Sequence, residues 1–235
     1  MPFDPARPTG YLTKQELITI RGAAGLEICS LLDRLQYADP LGEAEALGIS
    51  SAAWPMFGLP WASALHLAAR MALRPVLARE RILEVGCGLG LASLVSHRRG
   101  ADVTASDRHP LASMFLARNA RLNHLAPLPY RHGNWAADPD AALLASRPIV
   151  EGRFGLIIGS DVLYERDEAG HLSGFIGRHA LPSAEVLIVD PDRGNRSAFN
   201  RRMVQAGFHV DETRLGAGLV GSEAYRGRLL RYRRA

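Results

Sequence analysis

Residues Arg81 to Gly90, RILEVGCGLG, constrain this chain more than any other stretch. Ile82, Leu83 and Val85 are followed at once by three glycines at alternate positions, the pattern of a buried strand running into a tight turn. Glycine suits such a turn because it tolerates positive φ and, lacking a Cβ, lets a ligand come close to the backbone. LASLVSHRR then supplies a helix whose first amides face the same ligand. Strand, glycine turn and helix together predict a nucleotide pocket.

A dinucleotide fingerprint GxGxxG/A beginning at Gly86 requires Gly or Ala where Leu91 stands, so a pyrophosphate ligand is disfavoured. The chain has an acid two residues before the first glycine, Glu84, in the pattern ExGxGxG. This resembles motif I of the class I S-adenosylmethionine-dependent methyltransferases. That cofactor carries a cationic sulfonium and an α-amino group, and Glu84 is expected to place negative charge near them. The resemblance implies that Glu84, Gly86, Cys87, Gly88 and Gly90 form the cofactor turn.

At 235 residues the chain can bury one sizeable core, and we expect an N-terminal elaboration over residues 1–60 followed by a methyltransferase domain over 61–235. No apolar run is long enough to span a bilayer, and MPFDPARPTG has no signal-peptide pattern, so a cytoplasmic location is expected. Net charge is +4, but Lys14 is the single lysine and arginine carries the rest. No aromatic-interleaved basic stripe accompanies that charge, which argues against nucleic acid as the partner. Cys29 and Cys87 are too few for a zinc site, the histidines are scattered, and no metal site is expected.

Along the chain, Met1 to Gly10 reads as a loose arm. LITI within Glu16–Arg21 and LEICSLL from Leu26 read as two strands of an N-terminal hairpin, which either covers the sheet or shapes a substrate groove. Asp33 to Ile49 has room for a short helix. Pro60 favours an extended approach to a helix from about Ala62 to Leu73. Trp61, entering that helix, either caps a bound adenosyl group or packs the helix on the core.

ADVTASD forms the next strand, ending in Asp107, and a helix follows through HPLASMFLARNARLN. An acid about twenty residues past the glycine turn sits where it accepts hydrogen bonds from ribose hydroxyls; the competing role is helix N-cap. PLPYRHGNW gives a short third strand. There Asn134 and Trp135 either meet an adenine ring or are a turn asparagine beside a core indole. Ala136 to Arg147 reads as a surface helix.

FGLIIGSDVLYERDE is a buried fourth strand, with Gly159 and Ser160 letting it end beside the cofactor. Asp161 and Tyr164 follow where ligands collect in open α/β sheets, outside the carboxyl ends of the central strands. A carboxylate there is costly unless something cationic arrives, which marks Asp161 for amine or cofactor contact unless it is a helix cap. EVLIVDPDRGNR is a fifth strand and loop, whose Arg193 and Arg196 either clamp an acidic substrate group or are solvated. SAFNRRMVQAGF reads as a helix, and HVDETRL with GRLLRYRR as a closing antiparallel pair.

Taken together, ExGxGxG, SD after the second strand, NW after the third and SDVLY after the fourth resemble the seven-β-strand protein lysine methyltransferases, methyltransferase family 16. The resemblance implies an α/β, doubly wound, Rossmann-like seven-stranded sheet, mostly parallel with an antiparallel last strand. That family's marker after the fourth strand is an acid, two residues, then Tyr or Phe; DVLY at Asp161 to Tyr164 satisfies it. Trp61 lies at the spacing of the family's tryptophan, and DPDR at Asp190 to Arg193 resembles the DPGR of the subgroup acting on the electron-transfer flavoprotein β subunit. Asn134 departs from the pattern, since many relatives carry Asp there. The implied activity is methyl transfer to a lysine of a protein substrate, with Asp161 and Tyr164 catalytic and Trp61, Asn134, Trp135 and Ser160 joining the cofactor set. A small-molecule N- or O-methyltransferase and a non-catalytic cofactor-binding protein remain alternatives, because the same cofactor motifs serve all three. The acceptor and the oligomeric state are not legible.

Overall fold

A computed structural model describes residues 10–135, 147–164, 169–216 and 225–234. The described residues form two sheets. The smaller is an antiparallel hairpin of β1 (Thr13–Ile18) and β2 (Leu26–Leu31), in register from Thr13 opposite Leu31 to Ile18 opposite Leu26. The larger contains β3 (Arg81–Val85), β4 (Asp102–Asp107), β5 (Tyr130–His132), β6 (Phe154–Ser160), β7 (Ala180–Asp190), β8 (His209–Arg214) and β9 (Arg228–Arg233). Its strand order is β5-β4-β3-β6-β7-β9-β8, with β9 antiparallel to both neighbours and the pairings from β5 to β7 parallel. This is the doubly wound, mostly parallel architecture expected. From β3 the chain builds outward on one side through β4 and β5 and on the other through β6 and β7. A crevice therefore opens beyond the carboxyl ends of β3 and β6, where the winding reverses.

Strand alternation divides the apolar interior into two layers. Ile82, Leu156, Ile158, Leu187 and Val189 face a cluster that includes α2 (Ala62–Leu73), α3 (Leu91–Arg98), α4 (Ala112–Leu122) and the hairpin. Leu83, Val85, Ile157, Val186 and Ile188 face the opposite cluster, which holds α5 (His171–His179) and α6 (Arg196–Gln205). A further helix, α1 (Glu43–Ala46), lies between hairpin and sheet in sequence, followed by a single 3₁₀ segment at Trp54–Gly58.

The hairpin joins the larger sheet's core without extending its ladder. Leu26, Ile28 and Leu31 are fully buried in the first cluster. The outward edge of β2 is finished by two asparagine side chains one turn apart, Asn119 on α4 and Asn123 at its C-cap. Asn119 Oδ1 accepts the Cys29 amide at 2.8 Å, Asn123 Oδ1 accepts the Glu27 amide at 3.0 Å, and Asn123 Nδ2 donates to the Glu27 carbonyl at 2.8 Å. These amides stand in for a neighbouring strand and meet backbone groups that would otherwise be orphaned.

Several expectations shift. The first strand begins at Thr13, ahead of LITI: its outer face is solvated, so TKQEL carries no apolar run and Leu17 is exposed. The helix His171–His179 has no counterpart in the reading above, and β7 starts five residues before Glu185. The expected Ala136–Arg147 helix and the N-terminal arm fall almost wholly outside the described residues. No helix among the described residues is long and apolar enough to cross a membrane.

Candidate functional site

A cavity of about 210 Å³ opens beyond β3 and β6, lined among others by Trp61, Gly86, Cys87, Gly88, Asp107, Trp135, Ser160, Asp161, Tyr164 and Arg193. Nine of the twelve residues singled out from sequence therefore share one wall; Glu84, Gly90 and Asn134 do not line it.

The glycine turn explains part of that division. Gly86 and Gly88 have φ of 60° and 51°; a Cβ on the first would stand 2.8 Å from Val162 Cγ1, and on the second 2.7 Å from the Phe57 carbonyl oxygen. No side chain fits at either, so bare backbone faces the cavity. Gly90 serves packing: it is the left-handed N-cap of α3, and a Cβ there would meet Leu116 of α4 at 2.3 Å. Cys87 is buried beneath the turn, its thiol pushed well above the ordinary range by burial and by the neighbouring acids Asp107 and Glu84.

Glu84 is a correction to the sequence reading. Its carboxylate, 2% exposed, accepts the Ser93 amide at 2.9 Å and the Ser93 hydroxyl, tying β3 to the first turn of α3. Burial raises its pKa to about 7 against the opposing Ser93 bonds. Its charge is thus spent on the helix N-terminus, where the macrodipole favours it.

Asp107 is held differently. Oδ2 accepts the Gly88 amide and Oδ1 the His109 amide, each at 2.8 Å, so it braces the glycine turn and its own turn but does not cap α4, whose N-cap is Leu111. Burial raises its carboxyl, opposed first by the His109 and Gly88 amides. A carboxylate has about four acceptor sites, so capacity remains for a hydroxyl donor in the cavity.

Beside it is a wall not anticipated from sequence. Phe57 and His109 stack with centroids 3.7 Å apart and planes at 13°, and both line the cavity with Ile49, Ala53 and Met56. His109 Nδ1 accepts the Leu111 amide at 3.2 Å, and burial lowers the ring's pKa to about 3, leaving it neutral at pH 7. Trp54 is 1% exposed beneath this pair, against Tyr11, Tyr37 and Phe57. Residues 49–59 carry no period that marks them as cavity wall, so only the tertiary fold reveals them.

At the other end, β6 delivers Ser160 and Asp161. Asp161 has φ 56°, a conformation that costs a non-glycine residue about 1 kcal/mol and is best tolerated by Asp or Asn. Its backbone amide donates to the Val189 carbonyl at 3.0 Å, locking the bend to β7. Burial raises its carboxyl, opposed by the Ser63 hydroxyl and the Arg193 guanidinium. Arg193 Nη2 stands 3.2 Å from Oδ1 as an ion pair, and that buried oxygen has no hydrogen-bond partner among the described residues. Ser63 is bonded in turn to Tyr225 at 2.7 Å, across 162 residues of sequence, a link no local signal announces. Tyr164 stands at the cavity edge, 42% exposed, and Trp61 anchors its indole to the Met56 carbonyl at 2.7 Å. Arg196, grouped above with Arg193, instead pairs with Asp192 and Glu212 at 2.5 and 3.3 Å. Among the described residues no three His, Cys, Asp or Glu side chains are grouped to hold a metal ion.

These residues fit the cofactor that the motif implies. Bare glycine backbone gives close approach, Asp107 keeps lone pairs for sugar hydroxyls, and Trp135, Phe57 and the neutral His109 give flat apolar surface for a base.

No family model matches the chain. It is 27% identical over 151 residues to the electron transfer flavoprotein beta subunit lysine methyltransferase of Mus musculus, covering 63% of this chain and 55% of that protein. It is 28% identical over 134 residues to the protein N-lysine methyltransferase METTL21A of Mus musculus, covering 55% and 58% respectively. The chain thus spans about half the length of the curated relatives it matches. A magnesium protoporphyrin IX methyltransferase from Synechocystis PCC 6803, solved with bound S-adenosylmethionine, superposes with TM-score 0.53 at 18% identity, over 73% of this chain and 78% of that one. The fold is that of these methyltransferases, and the sequence is similar to protein lysine methyltransferases.

Proposed function

We propose that this relative of protein lysine methyltransferases is itself an enzyme that uses S-adenosylmethionine to methylate a lysine side chain of a protein. One observation carries the reading: a buried carboxylate, Asp161, is held in a strained bend on the wall shared with the glycine turn, and one of its oxygens lacks a hydrogen bond among the described residues. A site built only to bind an adenosine moiety has no use for that acid; a cationic acceptor does.

The cofactor, held by the Gly86–Gly88 turn, Asp107 and Trp135, supplies an activated methyl group. What remains for the chain is alignment and exclusion of water. The acceptor must lose a proton, which for a lysine of pKa near 10.4 costs roughly 4 to 5 kcal/mol at pH 7. Asp161 accepts hydrogen bonds from the amine and aims its lone pair, and the apolar walls from Trp61, Met56 and Leu59 weaken the charged form by desolvation. Tyr164 at the rim closes over the acceptor stem. Residues 10–60 act as an elaboration that completes the adenine side through Phe57.

The test is labelling. Purified protein with methyl-radiolabelled cofactor and a cell lysate should mark a discrete protein band, with mass mapping placing the methyl on a lysine. Label confined to the small-molecule fraction would instead point to a small-molecule methyltransferase. No transfer to any fraction despite cofactor binding would point to a non-catalytic protein.

A further inference from the structure

The acceptor end of the cavity already contains a cation. Arg193, in the loop after β7, places Nη2 3.2 Å from Asp161 Oδ1 and Cζ 5.8 Å from the Trp61 ring centroid, and all three residues line the same cavity. The neighbouring acids are committed elsewhere: Asp192 pairs with Arg196 and Arg228, and Asp190 accepts the Asp192 amide. Among the described residues, Asp161 is the acid against which Arg193 stands, as an ion pair without a hydrogen bond to Oδ1.

We propose that Arg193 is a placeholder: its guanidinium occupies, on Asp161, the seat that the acceptor's ammonium takes, and it yields that seat while remaining over Trp61. This rests on the reading of Asp161 as the acceptor acid. Guanidinium is suited to the part because it stays protonated at any accessible pH and offers no nucleophilic lone pair, so it fills the seat without becoming a methyl acceptor. Its side chain is 44% exposed, so it can leave without opening the core. The exchange also sets specificity. An incoming ammonium replaces one charge pair by another, whereas a neutral hydroxyl acceptor would have to displace the guanidinium and leave Asp161 without a cation.

The placeholder can be turned into the acceptor. Arg193→Lys puts a primary amine of similar reach on Asp161, and incubation with S-adenosylmethionine alone should add 14 Da, or multiples of it, to the peptide bearing residue 193. The rate should not depend on protein concentration, and the double variant Arg193→Lys, Asp161→Asn should lose it. Lys14 is the wild-type chain's single lysine, so background is confined to one other site. Arg193→Gln should label lysate acceptor severalfold faster at limiting acceptor. If wild type labels a lysate protein but the Lys variant stays unmodified, or the Gln variant labels tenfold more slowly, the placeholder role is wrong and the lysine reading stands. If wild type labels nothing and the Lys variant is also unmodified, both fall together.

Discussion

The two ends of the cavity treat their acids in opposite ways. At the β3–β4 end, Glu84 and Asp107 are nearly inaccessible, yet each is engaged by backbone: Glu84 by the Ser93 amide, Asp107 by those of Gly88 and His109. At the β6 end, Asp161 is bent into positive φ, and its buried Oδ1 faces Arg193 but lacks a hydrogen bond among the described residues. The first pair builds the turn that holds a ligand; the second is an acid stored at a cost for something that arrives later. Stability and chemistry should separate along that line.

The largest expected effect is at Asp161. Asp161→Ala should lower methyl transfer by about 10³-fold or more while cofactor affinity, read by calorimetry, stays within a few fold. The variant should melt close to wild type, because the gain from removing a buried charge is offset by the roughly 1 kcal/mol that positive φ costs Ala. Retained turnover would remove Asp161 from its role, and a collapse in melting temperature would make it a building acid like Asp107. Asp107→Ala should do the reverse. Losing the acceptor for two amides costs about 1–3 kcal/mol of stability, and cofactor affinity should fall at least tenfold; an unchanged melting temperature would break the contrast.

Glu84 offers a pH test. Its folded pKa of about 7 exceeds the ordinary value of 4.5, so the native state binds the extra proton and stability declines as pH rises between those values. Glu84→Gln cannot titrate. The wild type should therefore lose stability relative to this variant by on the order of 3 kcal/mol between pH 4 and 8. Parallel stability curves across that window would show that Glu84 ionises normally. The smallest effect is expected away from the cavity, where Asn119→Ala should cost about 1–2 kcal/mol by orphaning the Cys29 amide, with cofactor affinity unchanged.

Much of this was legible because a parallel sheet writes its strands as apolar runs and its ligand turns as glycines. RILEVGCGLG and FGLIIGSD therefore announced both cavity walls, and Trp61, Asp107, Trp135 and Asp161, named through the family resemblance, line the one cavity. The misses have physical causes. Glu84 lies at the right spacing for a ligand, but sequence does not reveal that Ser93, nine residues on, takes its carboxylate. Gly90 and Asn134 were carried by motif, whereas Gly90 is glycine because Leu116 crosses over it. The wall from Phe57 and His109 joins segments some fifty residues apart through ring stacking, and Tyr225 reaches Ser63 across an even longer separation. Neither contact leaves a local period to read.

The central claim is that the bare turn at Gly86–Gly88, braced by Asp107, holds a sulfonium methyl donor. Titrating the purified protein with S-adenosylmethionine in a calorimeter, beside a parallel titration with a nicotinamide dinucleotide, tests it directly. The account predicts saturable one-to-one binding of the methyl donor, weakened at least tenfold in Asp107→Ala, and no heat with the dinucleotide; the opposite pattern would contradict it.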